Sequence, residues 1–142
     1  MVEEGVQLED EFEYEYEDEP LVFRVADLKQ WFVCRRIVYD AHVTPAVRPL
    51  TYAMEAGRIA HEEVRPLEKR RTLRAYGVPD GKRHFDVVLY APDLGLSGLV
   101  DMVIERTDEV IPVDFKDSFQ IKARQFRLQV AAYGVLVDHL WR

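Results

Sequence analysis

One cysteine, Cys34, stands alone among 142 residues. It cannot form a disulfide within the chain, and a metal site built from the chain's own thiolates is excluded. Long apolar runs are missing too: none approaches the ~20 residues of a membrane-spanning helix. The first 20 residues contain no Lys or Arg and no apolar centre, so they have neither the basic start nor the hydrophobic core of a secretory signal. Without these features the sequence reads as a soluble protein of the reducing cytoplasm, with no membrane partner. Its length suits one globular domain.

Charge is unevenly spread. The formal net charge is −7, yet residues 1–20 hold ten of the acidic side chains. Beyond them 16 acidic residues face 19 basic ones, a balance of +3. Such a remainder permits a phosphate-binding surface without requiring one. Residues 1–20 read as a disordered or loosely extended arm, because dense like charge repels itself and offers little to bury. The alternation of Phe12, Tyr14 and Tyr16 with glutamates also has strand periodicity, which would let the arm pair with a sheet edge or another chain. Its carboxylates and aromatics could also imitate a nucleic-acid strand in a basic groove.

Residues 21–142 read as the folded domain. A first helix is expected near Asp27 as N-cap, with Leu28, Trp31 and Val38 on an inward stripe and Arg35 as its exception. Pro45 and Pro49 interrupt the pattern. A second helix follows from about Thr51, with Ala53, Ala56, Ala60, Val64 and Leu67 inward and Pro66 kinking or ending it. Three apolar stretches then run over 84–91, 96–106 and 109–116, separated by turn signals at Pro92-Asp93 with Gly95 and at Thr107-Asp108. Consecutive antiparallel strands fit them best. A last helix spans about Ile121 to Leu140, with Phe126, Val130, Tyr133 and Val137 repeating. This order predicts an α/β (α+β) domain on a small central mixed sheet flanked by helices.

Asp101 sits inside an otherwise apolar strand, and Asp114 and Lys116 lie near the end of the next one. An ionised carboxylate in a sheet is costly unless it is paired or binds a cation. Asp114 and Lys116 are two apart and project from one strand face. A turn at Thr107-Asp108 would bring Asp101 beside Asp114 across a hairpin. Two carboxylates can hold a hard divalent cation, which polarises a phosphodiester and activates water, while an ammonium offsets charge on phosphorus. The same three residues also suit a buried ion pair with no chemistry. Gly57 and His61, one helical turn apart, could add a nitrogen ligand, shifting preference from magnesium towards manganese. Gln129 and Tyr133, likewise one turn apart, could meet a phosphate or base. Arg58, Arg65, Lys69, Arg70 and Arg71, with Lys122, Arg124 and Arg127, form either a DNA track or ordinary solvated helix faces.

In order, Gly57 with His61, Gly98 with Asp101, Asp114 with Lys116, and Gln129 with Tyr133 resemble the signature of the RecB-type branch of the PD-(D/E)XK nucleases. Trp31 to Arg36 further resembles the motif that opens the CRISPR-associated Cas-four exonucleases. The resemblance covers about residues 23–140 and implies a restriction-endonuclease-like core. It implies metal ligation by His61, Asp101, Asp114 and the Phe115 carbonyl, with Mn2+ or Mg2+ as cofactor. Lys116 would assist the attacking water, and Gln129 and Tyr133 would contact DNA; apart from the resemblance, Arg58, Lys122 and Arg124 of the basic track are candidate DNA contacts. The implied activity is trimming of single-stranded DNA ends beside the CRISPR integrase during spacer acquisition. A non-catalytic adaptor on that complex and a general RecB-family repair nuclease are the alternatives.

Two departures from the family's pattern bear on this. Arg35 stands where the family has proline, and the sequence stops at Arg142, where family members continue to three further cysteines. An iron–sulfur cluster is therefore not expected from this chain alone; Cys34 could be a ligand only if the others came from elsewhere, and otherwise reads as a small core residue. A missing C-terminal layer would expose a sheet edge and an apolar face, inviting a partner or self-association.

Overall fold

A computed structural model describes residues 20–44, 52–116 and 123–141. Residues 1–19, nearly all of the acidic arm, and Lys122 lie outside the described residues. In chain order the elements are β1 (Phe23–Arg24), α1 (Val25–Val33), α2 (Arg35–His42), α3 (Tyr52–Arg70), a 3-10 turn (Leu73–Tyr76), β2 (Lys82–Ala91), β3 (Leu96–Glu105), β4 (Val110–Val113) and α4 (Arg124–Leu140). Strand β3 is the centre of a small mixed sheet. It pairs antiparallel with β2 along its whole length. On its other edge it pairs antiparallel with β4 at Met102–Glu105 and parallel with β1 at Leu96–Ser97. The expected α/β architecture is thus present, with a short parallel strand, β1, added to the three antiparallel ones.

Side chains of β3 alternate towards two cores, and the alternation changes phase in the middle. Val100 and Val103 join Val25 of α1 and Ala132, Tyr133, Leu136 and Val137 of α4 on one face. Met102 and Ile104 pack on the other with Val78, near Leu73 and Tyr76 of the 3-10 turn. On β2, Val87 and Leu89 belong to the first core and Phe85 to the second. Since a regular strand sends every second residue to one face, both strands switch faces at Asp86 and Asp101. The register skips that pair alone, and Asp86 takes a left-handed φ of 55°.

At Gly98 the helices pack tightly on the sheet. A Cβ there would lie 2.8 Å from Tyr133 Cε1 and 3.2 Å from Val25 Cγ2. The bare backbone lets the Tyr133 ring pack against β3, with its hydroxyl donating to the Leu99 carbonyl at 2.8 Å.

Several local expectations change. Asp27 is not the N-cap of the first helix but its third residue; Arg24 is the cap. The carboxylate reaches back to accept the Arg24 backbone N–H at 2.9 Å, as in a capping box, and Arg24 Nη2 and His42 Nε2 lie 2.7 and 2.9 Å from its oxygens. The expected single helix is two, because Cys34 is extended at φ −161° and ψ 113°. Cys34 is exposed rather than in the core. Trp31 is 47% exposed, leaving Val38 as the buried member of that stripe. Pro66 does not end α3, which runs on to Arg70. Pro66 is exposed, so the carbonyl its missing N–H leaves unpaired can turn to water. In α4, Val130 is 41% exposed while Gln129, Ala132 and Leu136 are buried. Among the described residues no helix is long and apolar enough to cross a membrane.

Two outcomes follow. Burial pushes the Asp27 carboxyl up, but hydrogen bonds from Arg24 and His42 outweigh it and hold the group at about 2. A depressed folded value adds stability that is present above the unfolded value near 3.8 and is lost as pH falls towards 2. Urea unfolding should therefore show Asp27→Asn less stable than wild type by about 1–2 kcal/mol at pH 6, the exposed Arg24 being screened, with the gap closing by pH 2. Gly98→Ala should lower stability by about 1–3 kcal/mol through overlap with Tyr133. An unchanged urea midpoint would show that the ring has room to move.

Candidate active site

The β3–β4 ladder ends at Met102 opposite Val113, so the next step sets Asp101 across from Asp114. Asp101 Oδ2 accepts the Phe115 backbone N–H at 2.7 Å, which fastens the end of β4 to β3. Asp114 has a side chain only 7% exposed, with Lys116 Nζ 2.6 Å from its Oδ2. That contact is an ion pair without hydrogen-bond alignment, and Oδ2 is otherwise unpartnered among the described residues. Gln129 Nε2 donates to Asp114 Oδ1 at 3.4 Å, while Gln129 Oε1 is buried without a hydrogen-bond partner among those residues.

Electrostatics follow from this crowding. Burial pushes the Asp114 carboxyl up; Lys116 and Lys29 oppose the rise, and the Asp101 charge adds to it. Tyr133 is raised by burial and by the same two carboxylates, against the Gln129 amide. Lys29, half-buried on α1, is lowered by burial and by the Lys116 charge, with Asp114 resisting. Lys29 is therefore a member of the site that sequence reasoning missed. A lone lysine in an amphipathic helix carries no spacing signal, and only the packing of α1 beside α4 brings it here.

A cleft of about 610 Å³ opens beside this cluster, lined by Asp114, Phe115 and Lys116, by Val64 and Glu68 of α3 with Arg71 just beyond its end, and by Phe126, Arg127 and Val130 of α4. Its far wall is set by Glu68, 5% exposed and held by Tyr76 and by Arg71 Nε at 3.2 Å. Burial first, then Glu68, pushes the Tyr76 phenol up to about 12, so it stays a hydrogen-bond donor at neutral pH.

The expected residues are not all gathered here. Asp101, Asp114, the Phe115 backbone and Lys116 are together, and Gln129 and Tyr133 adjoin them. The latter two are 5% and 4% exposed and meet the carboxylates and the sheet rather than solvent. Position 61 falls in α3, three and seven residues ahead of the cleft residues Val64 and Glu68, but the side chain of His61 lies outside the description, as do the surroundings of Gly57. Arg58 is exposed and paired with Glu55 and Glu62 of its own helix. Arg124 lies 5.0 Å over the Phe32 ring. Cys34 is exposed, at the α1–α2 break.

The donor set fits a hard divalent cation: two carboxylates and a backbone carbonyl, with a buried carboxylate oxygen lacking a full complement of hydrogen bonds. Among the described residues no three His, Cys, Asp or Glu side chains gather as a metal group.

No protein-family model matches the chain. The sequence is similar to the CRISPR-associated exonuclease Cas4 of Francisella tularensis subsp. novicida (strain U112), with 36% identity over 122 residues. The match takes in 85% of this chain and 62% of the relative, so the chain spans about three fifths of that relative's length. Similarity of this degree across most of the chain, carried on a mixed α/β core, supports the Cas4-like family of RecB-type nucleases.

Proposed function

We propose that this chain is a metal-dependent deoxyribonuclease of the Cas4 type, an exonuclease that trims DNA ends during CRISPR spacer acquisition beside the integrase. The observation that carries the reading is the register that sets Asp101 opposite a buried Asp114, with Lys116 at its side. Asp101, Asp114 and the Phe115 carbonyl would hold Mn2+ or Mg2+, with His61 as a nitrogen ligand. The bound cation supplies Lewis acidity towards the phosphate and lowers the pKa of a water.

The remaining work falls to the chain. Lys116, contacting Asp114 and facing the cleft, would orient the attacking water or offset charge on the phosphoryl oxygens. Lys29 and Lys116 already balance Asp101 and Asp114, so added divalent charge leaves the site positive and ready for a phosphodiester. Gln129 donates to the Asp114 carboxylate and Tyr133 to the Leu99 carbonyl, and contact of either with DNA needs partial exposure. Arg58, Lys122, Arg124 and Arg127 would contact backbone phosphates along the helices. On this reading residues 21–142 are the nuclease domain and residues 1–20 an acidic arm.

One observation favours a second reading, a catalytically weak adaptor on the integration complex. The Asp114–Lys116 contact is a self-neutralised pair that can persist without a cation.

The two readings separate on labelled single-stranded DNA with manganese. Wild type should cleave, EDTA should stop it, and Asp114→Ala and Lys116→Ala should each lower the rate by about 100-fold or more. Equal cleavage by all three proteins would leave the adaptor standing.

A further inference from the structure

Burial disfavours a glutamine unless both halves of its amide are hydrogen-bonded. Gln129 is 5% exposed, in α4. The nitrogen half of its amide is satisfied. Nε2 donates to Asp114 Oδ1 at 3.4 Å, and the amide also hydrogen-bonds the Tyr133 phenol. That phenol gives its own proton to the Leu99 carbonyl at 2.8 Å, so towards Gln129 its oxygen can only accept. Both amide protons therefore have acceptors, and turning the amide over would set Oε1 against the Asp114 carboxylate. The oxygen half is not satisfied. Oε1 is buried and without a hydrogen-bond partner among the described residues. Asp114 Oδ2, on the carboxylate that Nε2 meets by its other oxygen, has the Lys116 ion pair and no hydrogen bond.

We infer that Gln129 is a positioning residue for the divalent cation: Nε2 holds Asp114 so that Oδ2 is presented to the ion, and Oε1 accepts a hydrogen bond from a water held there. The inference rests on reading Asp101 and Asp114 as ligands of that cation. A contact between Gln129 and DNA fits the observations less well. Oε1 is enclosed, and a phosphate would bring further acceptors to a group that needs a donor. Additional chain or a partner would only deepen the burial. The fold also fixes where the amide sits. Tyr133, one helical turn on, packs against Gly98, where a Cβ would lie 2.8 Å from its ring. The tight seat of α4 on β3 is thereby passed through Tyr133 and Gln129 to the carboxylate.

Manganese binding without DNA tests this role, read on the full chain from loss of the free-ion EPR signal. Wild type should bind Mn2+ and Asp114→Ala should not. Gln129→Met, similar in size and shape, should bind Mn2+ about 10- to 100-fold more weakly, the range for losing a group that orients a ligand. Its affinity for a labelled oligonucleotide in EDTA should match wild type, whereas loss of a DNA contact would show there. Tyr133→Phe keeps the ring beside Gly98 but removes the oxygen that fixes the amide, and should weaken Mn2+ in the same direction by a smaller factor. Unchanged Mn2+ affinity in Gln129→Met, or reduced oligonucleotide affinity in EDTA, would overturn the inference and leave the metal reading standing. If Gln129→Met does not fold, unchanged Mn2+ affinity in Tyr133→Phe overturns it equally. No Mn2+ binding by wild type would instead overturn the metal reading of Asp101 and Asp114, and the role of Gln129 with it.

Discussion

Asp114 sits at 7% side-chain exposure beside a second carboxylate, and the surrounding structure answers the cost of holding it there. Desolvating an ion costs several kcal/mol unless its lone pairs are satisfied. Here the compensation is divided among elements far apart in sequence. Lys116 follows on the same segment, Gln129 reaches in from α4, and Lys29 approaches on α1. Asp101 is relieved separately, by the Phe115 amide. Each helix that packs on the sheet face carrying the site thus brings a polar group as well as apolar side chains, and a shift of either helix would disturb the carboxylates before it opened the core.

The change of phase in the central hairpin makes this possible. With unbroken alternation, Val100 and Met102 would face the same way and one core would take both. With the left-handed turn of Asp86 the phase shifts, so that Val100 and Val103 both serve the α1–α4 core while Met102 and Ile104 turn to the core at the 3-10 turn. Asp101 falls at the crossover, where neither core claims its side chain. The Arg65–Asp86 ion pair ties α3 to the same point, so the helix that walls the cleft is referenced to the residue where the strands switch.

Much of this was legible in the residues. The strands were readable because their periodicity is short and Thr107-Asp108 marks the turn; counting outwards from that turn sets Asp101 opposite Asp114. The helices were legible in existence but not in detail. Asp27 looks like an N-cap in sequence, and only the closeness of Arg24 and His42 shows it serving from inside the first turn. Cys34 lies in a helical pattern, and nothing local announces its extended backbone. The two residues of β1 are too few for any periodicity. Lys29 comes to the site by packing between segments more than 50 residues apart, which no local pattern encodes, and the phase change rests on the left-handed backbone of Asp86, which its residue type does not announce.

Arg83 shows a further side of such packing. From β2 its guanidinium donates to the Arg71 carbonyl at 2.7 Å and to those of Glu68 and Lys69 at 3.3 and 3.4 Å. They lie at the end of α3, where a helix leaves its last carbonyls without intrahelical partners, commonly met by a glycine turn; that of Glu68 also accepts the Arg71 N–H at 3.2 Å. In this molecule a strand residue terminates α3. The last turn of the helix and the opening of the strand therefore form one cooperative unit, expected to open and close together rather than fray independently. The cleft wall borrows its rigidity from the sheet.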